Sequence, residues 1–323
     1  MEPLPARRHG RVLQAQAAGP PAPEPCEEQR RAQQEWEAVQ SGQPGLPAEP
    51  PGAAALISFE EALRYFQSAE LAECRKAIPA RPRRRGLASL LHMLFGPPRL
   101  RAPLQAERDL ALAIARCALD DSERVHVRIL QTIYRRLTRS PLGCPRYGAH
   151  WEELGFQGAD PGTDLRGTGM LGLLQMLHFV TDPRTLPLAR KIFKLSQHET
   201  QHFPFCVVSV NVTRIVVRAL RDERLSRECN RRRQVLAVLN DVYVGAFLRL
   251  YGAWTARRGA LPDAGALLSE LETFTKKKPR QLLKALESYL SGSAAAPAGA
   301  REDRDFTGIC DLPAEAADAV RPL

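Results

Sequence analysis

Three short constellations in this chain hold residue types that do chemistry. The first is Trp151 to Leu177, WEELGFQGADPGTDLRGTGMLGLLQML, with Arg166 at its centre and Gly158, Gly162, Gly167 and Gly169 around it. A guanidinium is planar, always charged and donates in a fixed fork, so on a tight loop it suits stabilisation of charge on phosphoryl oxygens. The second is His198-Glu199-Thr200-Gln201-His202, literally H-E-x-x-H. On a helix that spacing sets two imidazoles on one face beside a glutamate base, the pattern of a zinc hydrolase. The third is Gly167-Thr168-Gly169-Met170-Leu171-Gly172, literally G-x-G-x-x-G, which after a β-strand would cradle a dinucleotide pyrophosphate.

Context separates the three. A dinucleotide fingerprint needs a strand before it and a βαβ unit around it; here Pro-Gly-Thr-Asp-Leu-Arg precedes, which reads as a turn. These glycines instead suit close approach of the loop to a partner or a neighbouring helix. In the H-E-x-x-H stretch, Pro204 follows two residues after His202 and no H-x-x-G-x-x-H continuation exists. The stretch therefore reads as a polar helix end where histidines complement the dipole. Glu223 and Glu228 are the candidate third ligands if a metal were held, but no metal is expected. The arginine loop keeps two readings. From the residues alone, the commoner one is a surface arginine in a turn that leads into a helix. The other is an arginine inserted into another protein's active site. For either, Asp164 is placed to steer Arg166 by a hydrogen bond, and Thr163 or Asp164 to cap the helix that begins near Met170.

The surrounding pattern is helical. Ser58-Phe59-Glu60-Glu61 is a capping box, and Phe59, Leu63 and Phe66 share a helix face that Pro79 should end. Arg81–Arg85 reads as a loop and Leu87–Phe95 as a short apolar helix stopped by Gly96-Pro97-Pro98. Further helices are predicted over Glu107–Leu119, Glu123–Thr138 (capped by Asp121 or Ser122), Leu171–Phe179, Leu186–Ser196, Gln234–Arg258, Leu267–Thr275 and Arg280–Leu290. Phe205–Leu220 is rich in valine but too long for an ordinary strand, so it is read as a buried helix. Alternation is almost absent and no repeat period is evident. The expected fold is all-α, with helices around a central apolar one.

Composition sets the outline. Of 323 residues, 44% are hydrophobic and 25% charged, ordinary globular values. Residues 1–52 hold 10 prolines and 5 glycines, a low-complexity composition. Residues 291–323 open with small residues and carry no apolar period. Both ends are predicted to be disordered. The body between is about 240 residues, enough to bury roughly 70–75% of its surface. The first 52 residues carry net −2 and residues 291–323 net −3, so the formal +10 of the chain resolves into +15 on the body. That excess suggests an anionic partner: nucleic acid, a lipid surface or an acidic protein. The basic runs Arg81–Arg85, Arg231–Arg233 and Lys276–Lys278 with Arg280 lack interleaved aromatics, so no nucleic acid is expected; peripheral contact with anionic membrane remains open. Seven cysteines, an odd number with no CxxC pair, read as free thiols in a reducing cytosol. No signal peptide, N-myristoylation site or prenylation box is expected. Val235–Trp254 is interrupted by Asn240, Asp241 and Arg249, too polar for a membrane span. A P-loop, GxxxxGK[ST], is absent, so the chain is not itself a GTPase of that class.

The arginine loop resembles the signature of the ELMO-domain family, specifically its ELMOD branch, W-x3-GFQ-x3-PxTD-[F/L]-R-G-x3-L-x-L. Trp151, Gly155, Phe156, Gln157, Pro161, Thr163, Asp164, Leu165, Arg166, Gly167, Leu171 and Leu173 all match. The likeness extends over most of residues 56–290, including ISFEEALRYFQ, LFGPP and FPFCVVSVN. It implies a single helical ELMO-type domain over 123–290 with an N-terminal helical extension over 56–122, flanked by disordered ends at 1–55 and 291–323. It also implies an activator of GTP hydrolysis with no chemistry of its own. The expected partner is a GTP-bound small GTPase of the Arf family, the Arf-like two type foremost. Arg166 would be the catalytic finger supplied in trans, with Trp151, Phe156, Gln157, Pro161, Thr163, Asp164 and Gly167 shaping its loop. No cofactor is expected in this chain, since Mg²⁺ and GTP would be bound by the partner. The implied location is cytoplasmic, at the cytoskeleton, cell projections or organelle membranes. In the larger ELMO adaptors, which act with Dock-type exchange factors, the corresponding arginine is absent. The alternative is accordingly a non-catalytic adaptor for small GTPases or cytoskeletal regulators. Leu165 stands where an aromatic is commoner, a variant consistent with lower activity.

Overall fold

Helical periodicity with almost no alternation leaves little that could form a sheet. The computed structural model describes residues 55–78 and 96–294; among them are twelve α-helices, three short 3₁₀ turns and no strand. In chain order the helices are α1 (Phe59–Ser68), α2 (Ala72–Lys76), α3 (Gln105–Ile114), α4 (Arg124–Thr138), α5 (His150–Glu153), α6 (Gly169–Thr181), α7 (Leu186–Ser196), α8 (Phe205–Arg221), α9 (Ser226–Arg232), α10 (Leu236–Ala256), α11 (Ala264–Lys277) and α12 (Pro279–Ala294). The turns are Ala102–Leu104, Pro161–Leu165 and Leu261–Asp263. The expected ending at Pro79, the Arg81–Arg85 loop and the Leu87–Phe95 helix lie outside the described residues, as do most of the disordered ends expected at 1–55 and 291–323; at 291–294 that expectation is corrected, because the last helix runs on to Ala294.

The centre of the packing is α6. Eleven of its 13 residues are buried, and it touches α1, α3, α4, α7, α8 and α10. Residues buried on every side leave no polar stripe, which marks a core helix. The valine-rich segment is helical, as its length predicted: α8 packs on α6, α7, α10 and α11. Phe205 of α8, Phe179 of α6, and Tyr243 and Phe247 of α10 meet in an aromatic cluster with centroids 5.5–6.0 Å apart. The buried Tyr243 hydroxyl is satisfied by Ser209 Oγ at 2.7 Å. At Gly245 a Cβ would lie 2.6 Å from the Leu282 carbonyl oxygen, so α10 and α12 approach more closely than any side chain at that position would permit.

Several boundaries differ from the sequence reading, each for a local reason. The first helix stops at Ser68 and resumes at Ala72, because Ala69 turns extended with ψ 147°. Ser58 Oγ does accept from the Glu61 amide at 3.1 Å, but the reciprocal half of the capping box is missing: the Glu61 carboxylate pairs with Arg128 of α4 instead. Helix α3 ends at Ile114, and the Cys117 carbonyl turns away to accept from Met170 N at 2.9 Å. Neither Asp121 nor Ser122 caps α4; Asp120 holds Ser122, and Asp121 goes to a buried arginine. The helix read from Gln234 starts after Arg233, whose φ of 56° closes the separate short helix α9. Its first free amides, Val235 and Leu236, donate at 2.9 and 2.8 Å to the carboxylate of Glu107 on α3. A capping partner 128 residues away has no local sequence signature.

Burial also sets a pH dependence. His126 in α4 stacks on Phe66, and its Nδ1 accepts from Asp120 N at 3.1 Å. Burial lowers its pKa below the ordinary 6.5, against the opposing pull of Glu123 and Asp120; burial likewise lowers His150 and His178. The unfolded chain therefore binds more protons below about pH 6.5 than the native one does. The associated stability is fully present above that value and is lost as pH falls through the lower folded values. Urea midpoints should decline on acidification from about pH 7.5 to 5. His126→Asn, which keeps an acceptor without a titrating ring, should flatten part of the decline. A slope unchanged by that variant would show that His126 titrates alike in the folded and the unfolded chain.

Candidate functional site

The arginine loop hangs between three anchors. The first is a buried charge. Arg146, 3% exposed, places Nε 2.5 Å from Asp121 and Nη1 2.8 Å from Asp160. Tyr147 lies under the same guanidinium at 4.5 Å and donates to Asp121 at 2.7 Å. Burial pulls the Arg146 pKa down, but bonds and charges from the two aspartates more than offset it, so the net shift is upward. The Tyr147 hydroxyl is pushed up to about 12 by burial and by Asp121. Asp160 also caps the 3₁₀ turn Pro161–Leu165, where its Oδ1 accepts from Gly162 N at 2.8 Å. Its carbonyl accepts from the Thr163 amide and hydroxyl at 3.2 and 2.9 Å.

The second anchor is aromatic. Trp151 of α5 is wholly buried, and its Nε1 donates to the Arg146 carbonyl at 2.8 Å. Phe156 packs edge-on against it, centroids 6.0 Å apart. Between them Gly155 sits at φ +92°, where a Cβ would be 2.3 Å from Phe205 N. The Gly155 carbonyl accepts from Val207 N at 2.9 Å, satisfying a first-turn amide of α8.

The third anchor is the start of α6. Gly169 has φ +49°, and a Cβ there would lie 2.5 Å from the Cys117 carbonyl oxygen. The literal G-x-G-x-x-G thus serves helix packing: the segment before it is a 3₁₀ turn, not a strand. Thr168 stands at the N-cap without a side-chain cap bond, so neither Thr163 nor Asp164 caps α6 as the sequence suggested.

On this frame Pro161 and Leu165 point inward and are buried, whereas Thr163, Arg166 and Gly167 are exposed. The Asp164 carboxylate does not steer Arg166; it accepts from the Gln157 amide at 2.7 Å and draws the two arms of the loop together. The Arg166 guanidinium makes no hydrogen bond or ion pair with any described residue, while its carbonyl accepts from Arg214 Nη2 of α8 at 3.3 Å. Gln157, Thr163, Asp164, Arg166, Val207, Val210, Asn211 and Arg214 line an open depression of about 410 Å³. An uncommitted cation on a braced backbone at the rim of an open depression can reach an anionic group presented from outside.

The sequence reading missed Arg146, Asp160, Asn211 and Arg214. Asp-Pro at 160–161 carries a turn signal that points to the cap. Asn211, Arg214 and Arg218 follow one another at helical spacing (i, i+3, i+7), which marks one polar helix face. Nothing local marks Arg146.

The H-E-x-x-H residues are not on a helix. The preceding helix α7 ends at Ser196, and His198 Nδ1 accepts from the Thr200 amide at 3.2 Å in a turn. Among the described residues no three His, Cys, Asp or Glu side chains converge as a metal site, and no helix is long and apolar enough to cross a membrane. Cys74, Cys117, Cys144, Cys206 and Cys229 are free thiols. Of the described basic runs, Arg231 pairs with Glu228 at 2.7 Å, Arg232 with Asp241 and with Glu287 at 3.0 Å, and Lys276 with Glu272 at 2.9 Å. Three of the seven cations in those runs are thus paired within the fold.

The helices and the braced arginine turn define an all-helical domain, and comparison with known proteins gives its family. The chain belongs to the ELMO/CED-12 family, whose profile matches residues 109–267. It is 47% identical to ELMO domain-containing protein 3 of Bos taurus over 327 aligned residues, covering 96% of this chain and 86% of the relative. Identity to ELMO domain-containing protein 3 of Homo sapiens is 49%, covering 90% and 80%. With ELMO domain-containing protein 2 of Homo sapiens it is 30%, over 33% of this chain and 36% of the relative. No solved structure matches the chain.

The buried charge makes a stability prediction. Arg146→Met leaves two carboxylates without their counter-charge and the Asp160 cap unbraced. Both aspartates are 36% exposed, so the loss should fall somewhat below that of a wholly buried pair, about 2–4 kcal/mol. Asp160→Asn keeps a capping oxygen and should cost less. Denaturant unfolding of the two variants checks the order; an Arg146→Met midpoint equal to wild type would overturn the assignment.

Proposed function

We propose that this protein activates GTP hydrolysis on a small GTPase of the Arf family, the Arf-like two type foremost, with Arg166 as an arginine finger inserted in trans. The observation that carries the reading is Arg166 itself: an exposed guanidinium with no partner among the described residues, on a backbone held from both sides. The family resemblance at the loop supports it.

The chemistry asked of such a residue is electrostatic. As the γ-phosphoryl group moves from the leaving oxygen to water, charge redistributes over the phosphoryl oxygens and the leaving oxygen. A planar fork can donate to both at once. Fingers of this type contribute ~10³–10⁵ in rate, which is about 4–7 kcal/mol of barrier. Rigid placement of the loop before encounter lowers the cost of bringing the guanidinium into line. Trp151 and Phe156 would hold the loop on the core, and Pro161, Thr163 and Asp164 would shape the turn. Gln157 would present its exposed side chain at the rim, and Gly167 would let the chain leave without a clash. GTP and Mg²⁺ belong to the partner, so this chain is an activator with no bond-making step of its own. Its place would be the cytoplasm, wherever that GTPase works: cytoskeleton, cell projections or organelle membranes.

Single-turnover hydrolysis across a panel of GTP-loaded Arf-family proteins tests the reading. Arg166→Ala should lower the stimulated rate by ~10³-fold or more while binding of the GTPase survives, because a contact made in the transition state adds little to ground-state affinity. Arg166→Lys should fail nearly as badly, since an ammonium cannot bridge two oxygens as a fork. Thermal midpoints should barely move for a surface position. A wild-type protein that binds the GTPase without accelerating hydrolysis would instead make the chain an adaptor.

A further inference from the structure

We infer that Arg214 is a positioning residue for Arg166: it clamps the finger's main chain to α8 and sets where the guanidinium points. This rests on the arginine-finger reading above. The two ends of the Arg214 fork are both engaged. Nη1 donates to Asn211 Oδ1 at 2.8 Å, one turn earlier on the same helix, and Nη2 donates to the Arg166 carbonyl at 3.3 Å. Asn211 is itself fixed, because its Nδ2 donates to the Val207 carbonyl at 3.0 Å, and Val207 N donates to the Gly155 carbonyl at 2.9 Å. The chain of contacts therefore runs from the aromatic-anchored arm of the loop, along the first turns of α8, to the main chain of the finger.

The need for such a clamp follows from the backbone. Arg166 stands just past the last residue of the 3₁₀ turn, with φ −56° and ψ 119°. The next residue, Gly167, is exposed at φ +87° and lies over the Arg214 side chain, the nearest approach of a would-be Cβ being 3.9 Å to Nε. A glycine there leaves the chain free to swing. Holding the Arg166 carbonyl removes that freedom at the bond that aims the side chain. Arg214 also lines the same depression as Arg166, and a second cation there disfavours collapse of the finger onto α8.

A clamp and a second phosphate-contacting cation differ in a double-mutant cycle. Arg214→Ala should lower the stimulated rate at saturating activator by about 10- to 100-fold, the effect of misplacing a catalytic group by roughly an ångström. The activator concentration giving half the maximal effect should change little. Asn211→Ala should show a smaller loss of the same kind. Once Arg166 is alanine, adding Arg214→Ala should cost nothing more, because nothing remains to be aimed. In the free protein, Arg214→Ala should speed amide exchange across residues 161–168 and leave the core helices unchanged. A double variant slower than Arg166→Ala alone would show that Arg214 touches the reacting phosphate and would overturn the positioning role. So would an Arg214→Ala protein as active as wild type. If wild type accelerates no GTPase, the proposed function falls. The exchange measurement then decides the clamp by itself: faster exchange at 161–168 upholds it, and unchanged exchange overturns it.

Discussion

Arg146 holds a full positive charge at 3% exposure, and the arginine turn is organised by the neutralisation of that charge. A buried guanidinium without partners would be prohibitive, so two carboxylates must come to it. Asp121 arrives from the segment before α4, and Asp160 from the segment before the 3₁₀ turn. Bringing Asp160 there also places its Oδ1 on the Gly162 amide. The Arg146 carbonyl is held by Trp151. One buried charge thus ties the segment before α4, the segment before α5 and the loop into a unit on which the exposed Arg166 stands.

The rest of the positioning is steric. Gly155 and Gly169 stand at opposite ends of the loop, each with positive φ and each pressed against another segment's backbone. A side chain at either place would separate the loop from α8 or from the end of α3. These contacts let a short loop carry an exposed cation while its ends stay fixed. Most of the favourable free energy lies beneath, in α6, α8 and α10, where the buried faces are largely apolar.

The same physics accounts for the conformations of the two literal motifs. G-x-G-x-x-G is a string of small residues, and small residues serve close packing as readily as phosphate binding. H-E-x-x-H acts as a metal site only where consecutive turns of a helix stack the two imidazoles. Here the helix has already ended at Ser196, and His198 is engaged with the amides of its own turn. The basic runs show a related point: Arg232 and Lys276 read as exposed charge in sequence, yet carboxylates far along the chain or one helical turn away meet them in the fold.

Much is legible in the sequence alone. The all-helical class, the helical state of the valine-rich α8, the span of α7 and the start of α6 followed from apolar spacing and segment length, which are local properties. The turn that carries Arg166 was legible because glycine and proline punctuate its surroundings. What the sequence could not determine was partnership across distance. Asp121 and Glu61 looked like helix caps, and locally they qualify; the fold offered them Arg146 and Arg128, and charged partners outcompete a lone amide. Glu107 caps a helix 128 residues away, and Arg214 holds the Arg166 carbonyl from a separate helix. The type of each element was set by neighbours in sequence, whereas the orientation and freedom of Arg166 were set by neighbours in space, because only the folded chain brings those donors and acceptors within bonding distance.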